Sequence, residues 1–170
     1  MSSIRGASQE GSPQIALTPM KFGRATRLAL AYGIGIYLVV ASFVFAWAAL
    51  SGEIGGVEHR PAEMTPASVL VDIFLSPFLE TILFSLLWAL LGRWRGPWRW
   101  LALMLAFAAG WLAHGANVPS IATGMAFAIL AHLYMRIRPA HGFRQAFAVT
   151  MGAHSVWNAM AVSTLHLIGA

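Results

Sequence analysis

The 170-residue chain contains no cysteine, which excludes a disulfide scaffold, a thiolate metal site and a cysteine nucleophile together. Charge is scarce too. Only 10% of the residues are Asp, Glu, Lys or Arg, against about 25% in a soluble domain. With 58% hydrophobic residues and a mean hydropathy of +0.68, there is too little polar surface to wrap a water-soluble globule. Any chemistry falls to His, Glu, Asp, Asn, Ser or Thr.

The formal charge of +5 does not point to nucleic acid, because the basic residues lie between apolar runs rather than along one face. Trp94, Trp98 and Trp100 mark a run end, as side chains anchored at headgroup level do. The pattern predicts an all-α polytopic membrane bundle of about five transmembrane helices. Residues 1–24, rich in Ser, Gly and Pro, are predicted to form a flexible cytoplasmic tail, and 25–170 the helical domain. The predicted runs are Leu28 to Leu50, Pro66 to Leu91 after an N-cap at Thr65, Trp98 to His114, Pro119 to Met135 and Gln145 to Ile168. Polar turns are expected around Arg93 and from Arg136 to Arg144. With the amino terminus inside, ten basic residues fall on the cytoplasmic side and only Arg60 outside, a strong positive-inside asymmetry that suits the inner membrane of a bacterium. Gly33, Gly35 and Gly124 are expected at close helix contacts.

Ionisable groups at membrane depth are costly, about 2.5–3.5 kcal/mol at the helix centre, and so face the protein interior. Glu80 is expected near mid-membrane, about 20 Å along its helix. His154 and Asn158, four residues apart, share one helical face at comparable depth, and His114 lies nearer the outer end of its run. Asp72, Ser76 and Glu80 form a polar stripe interrupted by Pro77, which should remove the backbone bond to residue 73 and open a pocket beside Glu80. A carboxylate there suits a general base acting on water, with imidazole and amide groups orienting the water or donating to an oxyanion.

The order Pro77-Phe-Leu-Glu80-Thr81-Ile-Leu-Phe84, then Gly110-Trp-Leu-Ala-His114, then His154-Ser-Val-Trp-Asn158 resembles the three motifs of the CPBP family. These are the CAAX-protease and bacteriocin-processing intramembrane proteases, with the patterns EExxxR, FxxxH and HxxxN or HxxxD. The resemblance covers about half the chain, from Ser76 to Ala159. It implies a cofactor-free glutamate peptidase acting on a membrane-associated peptide or protein, with Glu80 and His114 activating water and His154 and Asn158 forming the oxyanion site. Three positions depart from the pattern. Thr81 stands for the second glutamate, Ser85 for the arginine and Gly110 for the phenylalanine.

Other readings fit the same residues. The polar cluster could serve packing alone in a non-catalytic relative that acts through a membrane partner. Asp72, Glu80 and the histidines could relay protons in a small transporter, although no internal repeat is evident. Glu80, His114 and His154 could supply a His₂Glu metal set, but the chain has no HExxH helix and the resemblance implies metal-free chemistry.

Overall fold

Thr65 followed by Pro66 starts a helix as its chemistry requires: the Thr65 hydroxyl accepts from the Ser68 N–H at 3.2 Å, and proline occupies a first-turn position that needs no donor. The computed structural model describes residues 17–52, 65–91 and 98–168, and all regular structure among them is helical. Helix α1 spans Phe22–Ser51, α2 Pro66–Leu70, α3 Ser76–Leu91, α4 Trp98–Ala113 and α5 Ser120–Ile168. A π turn, Val71–Leu75, joins α2 to α3. Three helices are long and apolar enough to cross a membrane: Phe22–Ser51, Pro66–Leu90 and Ser120–Leu167. Arg99–Ala113 is apolar but shorter.

Helix α3 turns apolar side chains outward and buries small polar ones beside Phe84 and Trp88. Leu83 and Leu86 are exposed, whereas Thr81 and Ser85 are fully buried. Apolar atoms outward and small polar groups inward is the arrangement expected where lipid, not water, surrounds the bundle.

Two boundaries differ from the sequence reading. Helix α1 begins at Phe22 rather than Leu28, because the long apolar stems of Arg24 and Arg27 allow a helix to continue past the apolar run. Of the predicted tail, residues 22–24 are therefore helical, and 18–20 are tied down. The Met20 N–H donates to Gln145 Oε1 at 2.7 Å, and His141 Nδ1–H donates to the Thr18 carbonyl at 2.6 Å. Residues 1–16, and the loops around Glu58 and Arg93, lie outside the described residues.

The predicted polar turn from Arg136 to Arg144 is largely helical. Helicity runs through Pro139, and the reversal is concentrated at Gly142, whose φ of 81° and ψ of 173° are non-helical. Only glycine adopts that conformation without strain. Contacts show that the chain folds back there: Tyr134 meets Phe143, and Phe127 meets His154 and Trp157. The segments 120–141 and 143–168 are thus antiparallel neighbours.

The same reading orders the rest. Helix α4 runs antiparallel to 120–141, with Gly110 against Phe127 and Arg99 against His132. Helix α3 runs parallel to that segment, through Phe84 with Phe127 and Trp88 with Tyr134. Helix α1 runs parallel to 143–168, from the bond between Met20 and Gln145 to that between Tyr37 and Thr164. Gly33 and Gly124 do sit at close contacts, a Cβ on Gly33 falling 2.6 Å from Val156, but Gly35 faces open space. The core is aromatic, built on Phe84, Trp88, Phe127 and Tyr134, all buried.

Candidate functional site

Proline at position 77 lies next to a widened turn. Its ring crowds the carbonyl four residues back, which disfavours a regular α-helical turn, and the helix responds by widening. The Ser76 N–H reaches five residues back to the Val71 carbonyl, the π register. Besides the bond to residue 73 that Pro77 cannot make, the Asp72 carbonyl also loses its helical donor. Its usual donor, the Ser76 N–H, is taken, and its π-register donor would be residue 77, which has no N–H. Asn158 Nδ2 fills the gap, donating to the Asp72 carbonyl at 2.8 Å.

In a regular helix eight residues leave Asp72 and Glu80 about 80° apart around the axis. A wider turn advances less per residue and reduces that drift. Asp72, Ser76 and Glu80 accordingly all line one cavity of about 260 Å³ together with His114, Thr123, His154, Trp157 and Asn158. All four residues singled out from the sequence (Glu80, His114, His154 and Asn158) border this space.

Within it, the Ser76 hydroxyl donates to Glu80 Oε1 at 2.6 Å. The other carboxylate oxygen, Oε2, lies 3.6 Å from His154 Nε2. The far side of that imidazole is held by Thr81, whose Oγ1 is 3.3 Å from Nδ1. His154 is almost fully buried, while the Glu80 side chain is 28% exposed. The carboxylate thus stands at the boundary between the packed interior and the open mouth.

Aromatic packing fixes both histidines. The His154 ring stacks on Trp157 at 5.2 Å and meets the edge of Phe127 at 5.5 Å. His114 sits in the turn after α4 and packs at 5.8 Å on Phe127. That turn is itself braced, since Trp111 Nε1 donates to the Asn117 carbonyl, and Asn117 and Ser120 exchange reciprocal capping bonds. Phe127 therefore lies against both imidazoles. It can approach α4 only because residue 110 is glycine: a Cβ there would fall 2.6 Å from the Phe127 ring.

Three participants were not singled out by sequence reasoning. Trp157 could have been found from its i+3 spacing to His154. Thr81 registers in the sequence only as a departure from a motif, yet it is the sole side chain bonded to His154 Nδ1 among the described residues. Phe127 carries no local signal and becomes visible only through tertiary contact. Among the described residues, no group of three His, Asp or Glu side chains is arranged to hold a metal ion, and the His₂Glu set does not form one.

No family model, characterised protein or solved structure matches this chain. The functional reading therefore rests on the residues and their geometry.

Proposed function

We propose that this chain is an intramembrane endopeptidase of the CPBP type, crossing the bilayer five times with its amino terminus in the cytoplasm of a bacterial cell. The alternating directions of α1, α2–α3, α4 and the two halves of α5 support five crossings, and the shortness of α4 asks only for local thinning of the bilayer. Contacts gather Met20, Ala89, Arg99, Arg138 and His141 toward one end of the bundle, and a basic end faces the cytoplasm.

The observation that carries the catalytic reading is the pairing of Glu80 Oε2 with His154 Nε2 at 3.6 Å in a cavity that also meets His114. Glu80 takes a proton from a water molecule as its oxygen attacks the carbonyl carbon of a peptide bond. The carbonyl π electrons move to oxygen, and the tetrahedral intermediate collapses as the C–N bond breaks. Glu80 then returns the proton to the leaving amine.

Thr81 gives His154 its part in this scheme. A hydroxyl can donate to Nδ1, which leaves the neutral ring's proton on Nε2, the nitrogen facing the cavity. An Nε2–H there donates to the developing oxyanion. Phe127 serves as the aromatic that the resemblance lacks at position 110, supplied by the neighbouring helix. Asn158 has one N–H engaged by the Asp72 carbonyl, so at most its second is free for substrate.

Ser85, whose buried hydroxyl has no hydrogen-bond partner among the described residues, stands where the resemblance calls for arginine, and the loss of that arginine favours a second reading in which the fold binds a membrane partner without cleaving it. One experiment separates the two. Purified protein is incubated with membrane-tethered peptides beside a Glu80→Gln variant; cleavage by the first and none by the second supports the peptidase, and no cleavage by either supports binding alone.

A further inference from the structure

The geometry points to Asn158 as a positioning residue, which replaces the backbone donor missing at Pro77 and thereby locks the π turn that aims Glu80 into the cavity. This deepens the role given to Glu80 above, but it rests on backbone accounting that holds with or without peptide hydrolysis.

A backbone carbonyl that loses its helical donor in a membrane-spanning segment needs another partner. At Asp72 both possible intrahelical donors are gone: the Ser76 N–H is bonded to Val71, and residue 77 is proline. The amide of Asn158 donates to that carbonyl at 2.8 Å. An asparagine on a different helix thus completes the hydrogen bonding of α2–α3, and it can do so only while the turn stays wide. Were the turn to tighten into the α register, Ser76 would bond Asp72 itself and the stretch preceding it would rotate relative to Glu80.

The consequences reach the carboxylate through one hydrogen bond. Ser76, the residue that closes the π turn, also donates to Glu80 Oε1 at 2.6 Å. Asn158 further belongs to the same helical face as His154, so one face of α5 sets both the turn before Glu80 and the imidazole beside it. Pro77 and Asn158 act as a complementary pair, one withdrawing a donor from the chain and the other returning it from the side.

A pair of this kind predicts non-additive substitutions. Asn158→Leu, Pro77→Ala and the double variant are unfolded in mixed detergent micelles, and Glu80 labelling by a hydrophobic carbodiimide is followed by peptide mass mapping. In the Pro77 background, Asn158→Leu should raise the unfolding constant about three- to tenfold, the range for one hydrogen bond. With Pro77→Ala, which restores an N–H at residue 77, most of that penalty should vanish. The labelling rate of Glu80 should change in Asn158→Leu and return toward wild type in the double variant, a response that loss of packing alone would not give. If Asn158→Leu yields no folded protein, the double variant should recover it. Equal penalties in both backgrounds, an unchanged labelling rate or failure of the double variant to recover would overturn the inference. No readout requires turnover, so an inactive wild type would count against the peptidase and leave this result standing.

Discussion

The two halves of the helix that carries Glu80 are built on opposite principles. From Thr81 to Trp88 its inner face is sealed: Thr81, Phe84, Ser85 and Trp88 are all buried against the aromatic core. From Leu70 to Glu80 only Pro77 is buried, and the π turn Val71–Leu75 widens the helix. Ionisable groups gather at the loose half. A π turn, a proline and a borrowed side-chain donor are tolerable there because the sealed half anchors the helix, whereas the same irregularities among Phe84, Trp88 and Phe127 would disrupt close packing.

This contrast predicts that changes in the loose half alter chemistry while changes in the sealed half alter stability. The largest effect should come from Glu80→Gln, which keeps the shape but cannot hold an abstracted proton: turnover of a tethered peptide should vanish while the unfolding midpoint stays near that of wild type. A variant that lost both would break the distinction. His154→Ala straddles the boundary, and kcat should fall by about 10²–10³ if Nε2–H is an oxyanion donor.

In the sealed half, Trp88→Ala should cost about 3–5 kcal/mol of stability, the range for removing a buried tryptophan, measured by unfolding in micelles. Gly110→Ala should cost about 1–3 kcal/mol by overpacking, since its new Cβ would meet the Phe127 ring at 2.6 Å. A Gly110→Ala chain as stable as wild type would show that Phe127 can shift, and that the core is less sealed than its burial indicates. The smallest change is expected from chelators, which should leave peptide cleavage unaltered, because the scheme for Glu80 uses only protein groups.

Much of the architecture was legible because lipid and backbone impose simple rules. The apolar run from Pro66 to Leu91 and its Thr65 cap read directly from the sequence, since an N-cap and a first-turn proline act locally. The start of the first helix at Phe22 is not legible from apolar periodicity, because Arg24 and Arg27 carry apolar stems under charged heads. The chain does turn between Arg136 and Arg144, but the reversal is concentrated at Gly142 and the rest of that stretch is helical.

Sequence by itself determined that the chain is helical and apolar, that Glu80, His154 and Asn158 have to face inward, and that Pro77 must disturb its helix. Burial costs and proline stereochemistry are properties of residues and act wherever those residues stand. Only tertiary structure decided that the Asp72 carbonyl would also lose its donor, that Asn158 would answer it, and that Thr81 rather than a carboxylate would hold His154. It also decided that Phe127, from another helix, would pack where Gly110 leaves room. Those outcomes depend on the register between helices, a distance in space that no local spacing along the chain encodes.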